Sequence, residues 1–114
     1  MCGIVGCFSP LGRETVDPET LSRMVTAVRH RGPDAVGQWQ GPGVALGHAR
    51  LAVLDLSSAA NQPFCSSDGN LRIVYNGEIF NYVEIRHELR GLGHHFSTDS
   101  DTEVILHAYE EWGD

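Results

Sequence analysis

Lysine is absent: all eight cationic side chains are arginines, set against fifteen Asp and Glu. The resulting formal net charge of −7 provides no basic face for nucleic acid or an anionic membrane surface, and both need one. No apolar run approaches the ~20 residues of a membrane span, and the N-terminus lacks the basic and apolar regions of a signal peptide. The expectation is a cytoplasmic protein with no nucleic-acid or membrane partner. Cysteine is scarce, and Cys2, Cys7 and Cys65 are an odd number without framework spacing, which argues against a disulfide scaffold and fits a reducing compartment. The histidines show no ligand spacing, with His94 and His95 adjacent and His30, His48, His87 and His107 scattered, so no metal site is expected. Internal repeats and low-complexity tracts are also lacking.

What is present fits one domain: 114 residues at 41% hydrophobic content are ordinary for a globular fold. Residues 2–9 alternate small and apolar side chains and end at Ser9-Pro10-Leu11-Gly12, a strand closed by a turn. Asp17-Pro18 supplies a helix cap and a first-turn proline, and Leu21, Met24, Val25 and Val28 set the apolar face. That helix is expected to stop at Arg31-Gly32-Pro33-Asp34, with Gly32 in the left-handed terminal conformation. Two or three antiparallel strands are expected from Gly37 to Leu56, the last over Leu51–Leu56. A loop over residues 57–70 with one short edge strand, and then a strand over Leu71–Tyr75, follow. A second helix, capped by Asn81 with Glu84, carries Tyr82, Ile85, Leu89 and Leu92 inward. His94–Ser97 reads as a short strand, and Ser100-Asp101-Thr102-Glu103 as a capping box opening a third helix with Val104, Ile105, Ala108, Tyr109 and Trp112 on its apolar face. The whole is α+β with a mainly antiparallel sheet.

Four stretches carry candidate chemistry. Removal of Met1, favoured by the small side chain that follows, would give Cys2 a thiol and a free α-amine together. In small peptides these groups titrate near ~8.5 and ~8, so the amine can take the thiol proton near neutrality. Cys2 also reads simply as the tip of an apolar strand. Arg50 reads as a solvated strand-end arginine or as a two-point clamp on a carboxylate. Asn76-Gly77 is a strong hairpin signal, yet Glu78-Ile79-Phe80-Asn81-Tyr82 leads into a helix; the side-chain amide of Asn76 and the Gly77 N–H then become candidates for an oxyanion hole. Asp101 is favourable in a first helical turn, and alternatively binds an ammonium group.

Six stretches in order resemble one family along the whole chain. They are Met1-Cys2-Gly3-Ile4-Val5-Gly6, Arg29 to Asp34, Gly47-His48-Ala49-Arg50-Leu51, Asn61-Gln62-Pro63, Tyr75 to Asn81, and Ser100 to Leu106. The chain is similar to the glutaminase domain of glutamine-hydrolysing asparagine synthetases, a class II glutamine amidotransferase. The resemblance implies an N-terminal nucleophile (Ntn) hydrolase-type α/β/β/α sandwich with antiparallel sheets. It implies Cys2 as nucleophile, its α-amine as base, and Asn76 with Gly77 as the oxyanion hole. The substrate would be L-glutamine, with Arg50 holding its α-carboxylate, Asp101 its α-ammonium, and Glu78, Asn76, Gly77 and the backbone of Leu51, Ala52, Val53 and Leu54 completing the pocket. One carboxylate clamp and one ammonium acceptor suit an amino acid, a pairing that neither Arg50 nor Asp101 implies alone.

The family domain continues beyond 114 residues and is followed by a synthetase domain, so residues 1–114 correspond to its N-terminal part. ATP and magnesium are implied only for that synthetase domain, and no cofactor is implied for these residues. Either the chain is a fragment, with the remainder of the enzyme as partner, or it is a truncated homologue whose uncovered strand edges associate, as a homo-oligomer or an aggregate. The alternatives to asparagine synthesis are another amidotransferase branch and a non-catalytic module that keeps the fold.

Overall fold

A computed structural model describes residues 1–13 and 15–114. Among these residues, two antiparallel sheets and three α-helices form an α+β architecture. The larger sheet has the order β1-β3-β2, with β1 at Gly3–Phe8, β2 at Ala35–Gly41 and β3 at Val44–Arg50. Its register is set by Gly3 opposite Ala49 and by Ala35 opposite Arg50. The small residues of β3 let other elements approach. Ala45 and Ala49 are fully buried, and Gly47 lies under Val25, Leu21 and Val5. Those contacts seat α1 (Pro18–Val28) on the sheet through Leu21 and Val25. Asp17 caps α1 as expected, its carboxylate accepting from the Thr20 N–H at 2.8 Å.

Beyond α1 the chain makes a 3₁₀ turn over Arg29–Arg31 and reaches Gly32. The left-handed expectation for Gly32 fails, because its φ is −149°. Glycine is needed there for space: an added Cβ would fall on the Ala49 carbonyl and within 2.5 Å of the Arg50 carbonyl carbon.

Three expected strands are missing or short, and in each case side chains take the backbone groups a strand would pair. Over Leu51–Leu56 the Leu51 N–H donates to Cys2 Sγ, the Ala52 N–H to Asp34, and the Asp55 carbonyl accepts from Arg50. Over Leu71–Tyr75 only Arg72–Ile73 (β5) pairs, with Phe64–Cys65 (β4), before the Tyr75 N–H turns to Gln62 Oε1. His94–Ser97 forms no strand, since the N–H groups of Ser97 and Thr98 donate to the Glu103 carboxylate.

Helices α2 (Tyr82–Gly91) and α3 (Asp101–Trp112) pack on each other. Asn81 precedes α2 but makes no side-chain cap. Ser100 does cap α3, accepting from the Thr102 N–H at 3.1 Å, but the reciprocal half of the box is absent because Glu103 is occupied by Ser97 and Thr98. The buried face of α3 also differs from the expectation. Thr102, Glu103, Val104, Leu106 and His107 are inside, while Tyr109 and Trp112 are 48% and 51% exposed.

Candidate active site

Cys2 immediately precedes β1 and is held from two sides. Its carbonyl accepts from Arg31 Nε at 3.0 Å. Its sulfur accepts from the Leu51 N–H at 3.3 Å and lies 3.6 Å from the Leu51 carbonyl. The Leu51 N–H thus already points at the sulfur.

Arg50 ends β3 and is buried at 8% exposure. Its Nη1 donates to the Ser57 carbonyl at 2.7 Å and to Asn61 Oδ1 at 2.8 Å, and its Nη2 donates to the Asp55 carbonyl. A guanidinium has five N–H donors. Three shape the 55–61 loop, and among the described residues the Nε–H and one Nη2–H carry no bond. Two donors on one planar fork are what two-point binding of a carboxylate requires. The solvated strand-end reading is corrected by the burial.

Asp101 opens α3 and is 6% exposed. One carboxylate oxygen accepts from the Ile79 N–H at 3.0 Å, which ties α3 to the segment carrying Asn76 and Gly77. Asn76 and Gly77 do not form a hairpin, since no strand follows them. The Asn76 side-chain amide has no hydrogen-bond partner among the described residues. Gly77 closes on Tyr75, where a Cβ would meet the phenol oxygen at 2.6 Å. Burial pushes the Tyr75 hydroxyl above its usual range, and the carboxylates of Asp101 and Glu78 push it further. The Tyr75 hydroxyl therefore keeps its proton in this acidic neighbourhood.

These groups surround one cavity of about 320 Å³, within the size range of small-molecule pockets. Cys2, Arg50 and Leu51 line one part of it, together with Val53 and Leu54. Asn76, Gly77, Glu78 and Asp101 line another, and Met1 lies against it as well. Ala52 is the expected residue that does not line it; its N–H instead donates to Asp34 Oδ2 at 2.8 Å.

Several supporting residues have roles that the sequence alone does not distinguish. Arg31 and Asp34 flank Gly32, and they fix the Cys2 carbonyl and the Ala52 N–H; the Asp34 N–H also donates to the Arg50 carbonyl at 3.0 Å. Gln62, 8% exposed, joins the Tyr75 N–H at 2.5 Å to the Thr102 hydroxyl at 3.1 Å. Both stretches were visible as resembling segments, but their roles depend on contacts across the chain. Asp55 braces the rim: hydrogen bonds from the Ser57 hydroxyl, the Asp99 N–H and the Ser57 N–H hold its carboxyl below the ordinary value.

Comparison with known proteins defines the class. The glutamine amidotransferase domain family matches residues 1–114, and the chain belongs to that family. Among similar proteins, asparagine synthetase [glutamine-hydrolyzing] 1 of Bacillus subtilis (strain 168) is 40% identical over 114 residues, covering 98% of this chain and 18% of the relative. Asparagine synthetase [glutamine-hydrolyzing] 1 of Arabidopsis thaliana is 43% identical over 116 residues, covering 99% and 19%. The probable asparagine synthetase [glutamine-hydrolyzing] of Dictyostelium discoideum is 38% identical over 115 residues, covering 100% and 20%. The chain thus spans about a fifth of the length of these relatives.

Proposed function

We propose that this chain hydrolyses L-glutamine to glutamate and ammonia on Cys2, in an Ntn-type sandwich fold of which residues 1–114 form the N-terminal part. Removal of Met1 frees the Cys2 α-amine, which takes the thiol proton. The sulfur attacks the side-chain carbonyl carbon of glutamine, and an oxyanion forms facing the Asn76 amide and the Gly77 N–H. The C–N bond then breaks, and ammonia leaves with the proton delivered by the amine. A γ-glutamyl thioester remains; water adds to it, the C–S bond breaks, and glutamate departs with the thiol restored. Arg50 holds the α-carboxylate and Asp101 the α-ammonium, with Glu78 adding negative charge beside it.

The observation that carries this reading is the convergence of Cys2, Arg50, Asn76 and Asp101 on one cavity from four separate parts of the chain. An apolar strand tip, a solvated arginine, a hairpin turn and a helix-end acid have no common reason to meet. An amino-acid amide gives them one. The names of the relatives extend the proposal: the ammonia serves an ATP-dependent asparagine synthetase domain outside these residues, and ATP and magnesium belong to that domain. No step on this chain is assigned to them.

The test is glutamate release from glutamine by the purified chain, alone and joined to the remainder of its enzyme. Cys2→Ala and a form that retains Met1 serve as controls. Both controls are expected to be inactive, and hydroxylamine should divert the active form to γ-glutamyl hydroxamate. Full activity in either control sinks the mechanism. Glutamine binding without turnover in the joined, processed protein would instead identify a non-catalytic module.

A further inference from the structure

Further along α3 from Asp101, and among residues that do not line the cavity, three ligand-type atoms converge. His94 Nδ1 lies 3.1 Å from His107 Nδ1. Glu110 Oε2 lies 2.9 Å from His107 Nδ1 and 3.9 Å from His94 Nδ1. The two histidines are thirteen residues apart in sequence and meet because the 92–97 segment folds back along α3. We propose that His94, His107 and Glu110 bind a divalent transition-metal ion, zinc in the first instance.

The outward nitrogens make the case stronger than the three inner atoms alone. His94 Nε2 lies 2.8 Å from Glu111 Oε2, and His107 Nε2 lies 3.6 Å from Glu103 Oε1. A carboxylate behind a histidine keeps the proton on that outer nitrogen and turns the lone pair of the inner one forward, which is how metal-bound imidazoles are oriented. With the outer nitrogen of His94 donating to Glu111, its Nδ1 lone pair, His107 Nδ1 and a Glu110 carboxylate oxygen meet in one small space. Only a proton shared there, or a cation, relieves that repulsion.

The dimensions suit the cation. From the three separations, the point equidistant from the ligand atoms lies about 2.0 Å from each, against zinc bonds of ~2.0–2.2 Å to nitrogen and carboxylate oxygen; the His94–ion–Glu110 angle there is about 160°, so the Glu110 side chain must swing for the tetrahedral arrangement zinc takes. Two imidazoles and one carboxylate are a set that zinc accepts with water as fourth ligand, and imidazole equally suits cobalt, nickel and copper. The histidine side chains are only 16% and 11% exposed, whereas Glu110 is 25% exposed on the outer side, where an ion would enter. Bound there, the ion would pin the segment after α2 to the last turns of α3.

The test is titration of the chelator-treated full chain with zinc, followed by calorimetry and thermal denaturation. Cobalt serves as a spectroscopic probe. Expected are one equivalent bound per chain, a raised Tm, and cobalt absorption bands of nitrogen–oxygen ligation without thiolate charge transfer. His94→Ala and Glu110→Ala should weaken binding about 100-fold or more, and Glu111→Gln, which alters only the outer partner, about 10–100-fold. Glu110 is exposed, so its variant keeps the test sound if His94→Ala unfolds. Absence of binding, equal affinity in the Glu110→Ala protein, or a thiolate band would overturn the assignment and leave the cluster a proton-sharing network.

Discussion

Replacing Glu103 by Gln should cost about 3 kcal/mol of folding stability at neutral pH, from the bonds that follow. Glu103 is 2% exposed. Its Oε1 accepts from the Ser97 N–H and hydroxyl at 2.8 and 3.1 Å, and its Oε2 accepts from the Thr98 N–H and hydroxyl at 2.7 and 2.6 Å. The glutamine oxygen can keep the Ser97 pair, but its NH₂ then faces the Thr98 N–H, donor against donor. One charge-assisted bond lost removes ~1.5–3 kcal/mol and one buried N–H left bare costs ~1–3 more, partly recovered because the Thr98 hydroxyl can rotate to accept. That is a large share of the ~5–15 kcal/mol of a whole domain.

The same residue gives a pH signature. Burial pushes its carboxyl up, but the four bonds from Thr98 and Ser97 outweigh that and set it below its ordinary value of 4.5. A depressed acid contributes stability that is complete above about pH 4.5 and is lost as pH falls through the lower folded value. The titratable group facing it is His107 Nε2, at 3.6 Å. Urea denaturation followed by circular dichroism, at pH 7 and at steps down to pH 3, measures both effects. The midpoint should fall in the variant, and its stability should decline less steeply between pH 5 and 3 than that of the parent. A loss under about 1 kcal/mol at pH 7, or identical acid slopes, would refute the reasoning.

Asn76→Ala should lower kcat for glutamine hydrolysis by ~10²–10³ while leaving KM within a few-fold, as for loss of one oxyanion donor; a change confined to KM would assign Asn76 to substrate binding instead. Gly32→Ala should cost about 3 kcal/mol, the upper part of the range for overpacking, because the new methyl meets backbone and not a movable side chain. It should also displace Arg31 and Asp34 and so reduce activity under conditions where the variant remains folded. Chemical denaturation and steady-state kinetics on the same preparation check both.

The parts of the fold legible in sequence are those governed by local chemistry. Asp17-Pro18 starts α1 because its acceptor and its constrained residue are adjacent, and the periodicity of Leu21 and Val25 seats the helix without further information. Expectations failed where distant side chains took the backbone. Leu51–Leu56 has strand composition, yet Cys2, Asp34 and Arg50 bind its peptide groups; Ser97 and Thr98 are bound by a glutamate from the next helix. The candidate site followed the same division. Cys2, Arg50, Asn76 and Asp101 each carry a plain structural reading at their own positions and are singled out together by the family resemblance, whereas Arg31 and Gln62 act through partners 29 and 13 residues away. The histidine pair escaped notice for a related reason: spacing along the chain carries no trace of a segment that doubles back.

The hold on Cys2 has a consequence for how such a chain matures. Arg31 grips the carbonyl, β1 begins at Gly3, and Leu51 meets the sulfur; each attachment lies on the carboxyl side of the residue's nitrogen or on its side chain. Cutting the bond on the other side of that nitrogen releases none of them. In the proposed reaction, then, methionine removal changes protonation chemistry at a fixed address and requires no refolding. The unprocessed and processed proteins should share one fold and differ only at the chain end, where processing takes Met1 away from the cavity and leaves on Cys2 a free amine able to take up a proton beside the sulfur.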